Sequence, residues 1–209
     1  MIRGLPAVLM MLCIATSASA LANGSPKRPA LAMRVLFVGN SYIYTNELPQ
    51  VVSAVAEAGG VMLHVGMLAE PNFAIVDHID SGGLQAALAQ DWDWVILQQG
   101  PSSLPQNQKL LRKWAHDASR LAQSRGARVA LMSAWPALPN AHTWSAAESS
   151  YRTAALRNGL CVLPVASAWR IAREDDPALP LYHSDQLHPR REGTLLAALT
   201  IVHGLLGAP

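Results

Sequence analysis

The chain has 209 residues, and its 16 basic and 14 acidic side chains nearly cancel. The charges are scattered: Arg112-Lys113 and Arg190-Arg191 are isolated pairs rather than a basic stripe, so no nucleic-acid partner is expected. Without its first two dozen residues it keeps roughly 190, enough for one domain with a sizeable core.

In chain order, residues 1–22 read as a secretory signal peptide. Arg3 supplies the positive start, Leu5–Ala15 the short apolar stretch, and Ala18-Ser19-Ala20 or Ala20-Leu21-Ala22 a cleavage site. The stretch is short for a membrane span, so cleavage is expected and no stable membrane insertion after it. The location implied is secreted or periplasmic. Cys13 lies inside this segment behind Met10, Met11 and Leu12, a poor lipidation box. Cleavage leaves Cys161 as the one cysteine, so no internal disulfide is expected. Residues 23–31, rich in small, polar and proline residues, read as a tether, and 32–209 as the domain.

The domain alternates in period. Met33–Val38 is a strand, and Glu47–Ala58 a helix with Leu48, Val51, Val52 and Val55 at helical spacing, stopped by Gly59-Gly60. Val61–Val65 is the second strand. Ile75–Gln90 reads as two short helices broken near Ser81-Gly82-Gly83. Trp94–Leu97 is the third strand, Gln108–Ser124 a helix, Arg128–Met132 the fourth strand, Ala146–Arg157 a helix, Leu160–Val165 the fifth strand, and Glu192–Leu206 the closing helix. Strands alternating with such helices predict an α/β protein: a three-layer α/β/α sandwich around a central parallel sheet of about five strands. Ligands of such sheets bind beyond the carboxyl ends of the strands.

Three groups converge on that edge. Ser41 ends the apolar run Val35-Leu36-Phe37-Val38-Gly39-Asn40-Ser41. A serine hydroxyl is a poor nucleophile without a base in hydrogen-bond reach. His188 can serve as that base, and Asp185, three residues earlier, can fix its tautomer. Ser41 also suits a helix N-cap, Asp185 a turn, and His183, Asp185 and His188 together a metal site. Acyl transfer further needs donors for an oxyanion. The Ser41 N–H is one, and Gln98 or Gln99, at the exit of the third strand, can offer a side-chain amide.

The chain resembles the SGNH hydrolases of the GDSL type, with Gly39-Asn40-Ser41 as the first block and Ser184-Asp185-Gln186-Leu187-His188-Pro189 as the last. It is most similar to a branch with further blocks at Pro71-Asn72-Phe73 through Asp77-His78 and at Trp92–Pro101. The resemblance spans nearly all of the domain and implies a flavodoxin-like fold, Ser41 as nucleophile, His188 as base and Asp185 as its partner. Two blocks depart from the pattern. Asn72 stands where the family's second block offers a glycine N–H, and Gly100-Pro101-Ser102-Ser103 replaces Gly-x-Asn-Asp, leaving the amide to Gln98 or Gln99.

Other residues receive plainer readings. His78 is expected to make a structural hydrogen bond; His64 and His203 suit packing or surface roles. Trp135-Pro136 can line the mouth, Tyr42 and Tyr44 can shape the acyl pocket, and spacing alone selects no tryptophan for stacking on a sugar. The expected activity is hydrolysis of a small-molecule or carbohydrate ester, O-acetyl groups foremost, with no cofactor. A non-catalytic carbohydrate-binding protein and a metal-dependent phosphoesterase are the alternatives. Oligomeric state is not legible.

Overall fold

The computed structural model describes residues 32–207. The segments read as signal peptide and tether lie outside the described residues. Within those residues no helix is long and apolar enough to cross a membrane.

Continuous apolar runs make the sheet. β1 (Ala32–Gly39) is buried over its last five residues, and β3 (Trp94–Leu97) along its whole length. Strands covered on both faces need helices above and below them. β1 pairs in parallel with β2 (Met62–Ala69) on one side and with β3 on the other. β4 (Arg128–Met132) and β5 (Cys161–Leu163) extend the sheet in the order β2-β1-β3-β4-β5, parallel throughout.

α1 (Ser41–Tyr44) follows β1 directly, and a 3₁₀ turn at Thr45–Glu47 leads into α2 (Leu48–Ala58), with Pro49 in its first turn. α3 (Ile75–Asp80) and α4 (Gly83–Ala87) join β2 to β3; α5 (Pro105–Gln123) joins β3 to β4; α6 (Trp144–Asn158) joins β4 to β5. α7 (Val165–Asp175) and α8 (Arg191–Leu206) follow β5. α8 packs against α2 and α7, while α5 packs against α3 and α6. These two groups form the outer layers of the sandwich, as right-handed crossovers between parallel strands require.

The elements differ from the sequence reading in three places. β2 runs to Ala69 because its whole length pairs with β1. Leu160–Val165 is strand only to Leu163: Pro164, which has no N–H for a ladder, stands at the N-cap of α7. α7 itself, anchored by buried Val165, Ala166 and Trp169, was not anticipated.

The chain leaves β1 toward β2 on one side and returns to β3 on the other. The crevice beyond the carboxyl ends of β1 and β3 is therefore the switch point of the sheet. Ser41 sits on one side of it and Gln98-Gln99 on the other.

Candidate active site

The turn carrying Ser41 is held from both neighbouring strands. A Cβ on Gly39 would collide with the carboxamide oxygen of Gln98 and come within 2.9 Å of Ile43, so this exit from β1 requires glycine. That oxygen accepts the Asn40 N–H (3.1 Å), and the Gln98 Nε2 donates to the Gln99 carbonyl (2.6 Å). Asn40 caps α1: its Oδ1 accepts the Tyr42 N–H at 3.2 Å, and its Nδ2 donates to the Phe73 carbonyl at 2.9 Å. The expected structural bond of His78 is present, its Nε2–H donating to the Gly39 carbonyl at 2.7 Å. Ser41 is thus the first residue of a short helix whose cap is fixed by three other segments.

Asp185 and His188 sit on a tight hairpin. Tyr182 and Pro189 form an antiparallel bridge; His183 N–H donates to His188 O (2.8 Å), and Arg190 N–H to Leu181 O (2.8 Å). At the tip, Gln186 takes a left-handed φ of 62°. Asp185 Oδ1 accepts the N–H groups of Leu187 and His188, each at 2.9 Å. Its Oδ2 lies 2.7 Å from His188 Nδ1, which must then carry the proton and leave Nε2 as the ring's free nitrogen. The Leu187 N–H, which together with the His188 ring and N–H outweighs the opposing effect of burial, holds the Asp185 carboxyl down at about 2. The carboxylate is therefore ionised throughout the neutral range.

An aromatic row and one amide join the two halves. Tyr42 packs edge-on against Trp135 (4.8 Å), Trp135 stacks on Trp169 (3.8 Å, 8°), and Trp169 meets Tyr182 edge-on (5.0 Å). The Trp135 indole donates to Leu187 O (3.1 Å), and the Tyr42 and Tyr182 hydroxyls to the carbonyls of Trp135 and Pro136 (3.1 and 2.7 Å). Burial pushes both phenols well above their ordinary range, so they remain neutral donors. Asn46, also at a left-handed φ of 54°, donates from Nδ2 to Pro189 O and to Thr194 Oγ1, both at 2.9 Å. The turn after Ser41 is thereby bonded to the residue after His188.

A cavity of about 410 Å³ opens beside Ser41. Asn72, Gln99 and Leu187 share its wall with Ser41; Gln98, wholly buried, does not reach it. Gln99 Nε2 donates one of its two protons to Ser102 Oγ (2.9 Å). Asn72 has a φ of 63°, a conformation asparagine tolerates nearly as glycine does. The structure thus gathers Ser41, Asn72 and Gln99 at one cavity and bonds Asp185 to His188. It shows no Ser41–His188 hydrogen bond among the described residues; such contacts often tighten only around substrate. Trp135 is buried in the row rather than lining a mouth, and Tyr42 reaches the cavity with its hydroxyl already engaged. His183 Nδ1 is 4.0 Å from Asp185 Oδ2, and no group of three or more His, Cys, Asp or Glu side chains among the described residues is arranged to hold a metal ion.

The sequence reading passed over Asn46 and over Asn107, which also lines the cavity. Asn46 is marked only by its fit to left-handed backbone, and Asn107 is one polar position on a long helix.

No protein-family model and no curated protein matches the chain. Solved structures do. A protein from Slackia heliotrinireducens described as a candidate SGNH hydrolase is 26% identical with a TM-score of 0.70, over 83% of this chain and 99% of its own. The lipase/acylhydrolase from Enterococcus faecalis is 15% identical with a TM-score of 0.69, over 84% and 96%. An acetyl-xylooligosaccharide esterase from Geobacillus stearothermophilus, in a mutant form, is 14% identical with a TM-score of 0.64, over 83% and 94%. Two further structures of that esterase are catalytic mutants, one of an aspartate and one of a histidine three positions later, each replaced by alanine.

Proposed function

We propose that this chain, an SGNH hydrolase by its likeness to a solved structure of that family, is a secreted or periplasmic serine esterase that removes O-acetyl groups from carbohydrate. Ser41 Oγ attacks the ester carbonyl while His188 Nε2 takes its proton. Negative charge on the carbonyl oxygen is met by the Ser41 N–H, Asn72 and the Gln99 amide, with Gln98 holding the turn beneath them. Collapse passes the proton from His188 to the departing alcohol and leaves an acyl-serine. Water, deprotonated by His188, then releases the acid and restores the hydroxyl. Asp185 keeps the imidazole in one tautomer and stabilises its cation.

The observation that carries this reading is the 2.7 Å bond that His188 Nδ1–H donates to Asp185 Oδ2, on a hairpin bonded to the turn that follows Ser41. The esterase from Geobacillus stearothermophilus, whose catalytic mutants alter an aspartate and a histidine with the same spacing, supports it and the acetyl-carbohydrate class. Purified protein is expected to hydrolyse p-nitrophenyl acetate in the presence of chelator, and Ser41→Ala to lower kcat at least about 10³-fold. Unchanged turnover in Ser41→Ala would remove Ser41 from the chemistry. Wild-type protein that binds acetylated sugars without hydrolysing them would move the role to non-catalytic carbohydrate binding, the reading favoured by the departures at Asn72 and at Gly100-Pro101-Ser102-Ser103.

Export is tested at the N-terminus. Sequencing of the exported protein should begin at Leu21 or Asn23. A chain recovered only in membranes and starting at Met1 would contradict a cleaved signal.

A further inference from the structure

The cavity beside Ser41 is much larger than an acetyl group needs: at about 410 Å³ it falls in the range of small-molecule sites. One wall is the nucleophile turn. The other belongs to α5, where Asn107, Leu110 and Trp114, at i, i+3 and i+7, present one helix face to the same space. No lining side chain carries a charge. A phosphorylated or otherwise anionic leaving group would find no cation there.

Of the chain's six tryptophans, Trp114 alone borders this cavity. Trp94, Trp135, Trp144 and Trp169 are buried in the core, and Trp92 is tied to Ala87 O and covered by the Arg34 guanidinium. The Trp114 indole N–H has no partner among the described residues, and neither has the Asn107 amide. A broad apolar ring with its own unengaged indole N–H and a neighbouring unengaged amide matches a ligand with an apolar face and a rim of hydroxyls. A hydrocarbon chain would use none of the polar groups.

We propose that Asn107, Leu110 and Trp114 form a leaving-group subsite in which a neutral pyranose ring lies against Trp114 while its acetyl ester meets Ser41. The proposal rests on the esterase reading. It assigns specificity to α5, an element that contributes nothing to the Ser41, Asp185 and His188 set.

The test compares two acetate esters by pH-stat: ethyl acetate, whose leaving group has no ring to stack on Trp114, and an acetylated methyl xylopyranoside. Trp114→Ala should lower kcat/KM for the sugar ester about tenfold, the size of one lost aromatic contact, and change ethyl acetate less than about twofold. Trp114→Phe should restore most of the loss. Asn107→Ala, at an exposed position that does not endanger folding, should lower sugar-ester turnover about threefold by removing one hydrogen bond. Equal losses on both esters, or none on the sugar ester, overturn the subsite while leaving the esterase intact. A loss confined to p-nitrophenyl octanoate overturns it in favour of an acyl-chain pocket. A wild-type protein inert toward every ester overturns the esterase reading, and the subsite with it.

Discussion

Asn46 does two things that few residues can do together. It accepts a left-handed backbone, φ 54°, and its amide bridges Pro189 O and Thr194 Oγ1 across a sequence separation of well over a hundred residues. Asparagine is the side chain that suits both, being tolerant of this region and carrying a two-proton donor. Asn46→Asp keeps the tolerance but turns a carboxylate toward a carbonyl. It is expected to cost about 1–3 kcal/mol in urea unfolding and to lower kcat more than it raises KM. A loss of stability with kcat unchanged would confine Asn46 to folding. Nothing in the sequence around Thr45-Asn46-Glu47 announces this role, because the partners lie near the other end of the chain. Ser41, Asp185 and His188 stand out in the sequence for the opposite reason: a strand ending in Gly-Asn-Ser and an Asp-x-x-His pair are local patterns. Which glutamine borders the cavity was not legible, since Gln98 and Gln99 differ only in which way the strand's last turn points them.

Between β1 and α3 the tie is a histidine. His78 is buried, and burial lowers the affinity of its ring for a proton more than the Gly39 bond and the Asp77 and Glu70 carboxylates raise it. Its folded value therefore lies below its unfolded one. Below the unfolded value, near 6.5, the unfolded chain binds more protons than the folded chain, so stability present at neutral pH declines as pH falls. Urea midpoints should drop between about pH 7 and 5, and His78→Gln, which still offers an N–H to Gly39, should flatten that decline. A slope unaltered in His78→Gln would assign it to other groups. At this scale the sequence was most readable where strands are buried on both sides. Trp94–Leu97 and Arg128–Met132 match their predicted bounds because a short apolar run closed by polar residues has little else to be. α7 was hidden because Val165 continues the apolar run of β5 and only Pro164 marks the change. β2 was read short because, at the sheet's edge, its exposed Met62 and Met67 blur the alternation that marks a strand.

Taken whole, the molecule brings its chemistry together by topology and then locks it by packing. The strand order places β1 beside β3, which sets Ser41 against Gln98 and Gln99. The row Tyr42–Trp135–Trp169–Tyr182 then supports the hairpin of Asp185 and His188 on the same foundation as the helix that starts at Ser41. Alternation of strand and helix was enough to anticipate the sandwich. The row was not, since its four members come from four separate segments. One feature of the cavity reaches beyond its shape: no charged side chain lines it. Capture of a neutral ester there is neither steered nor screened by ions. KM should stay within about twofold between roughly 0.02 and 0.5 M sodium chloride, a range over which exposed charge pairs are strongly attenuated; a steep dependence would reveal a charged contact from outside the cavity. Such indifference to salinity would hold turnover steady wherever the surrounding salt changes, with no compensating charge built into the site.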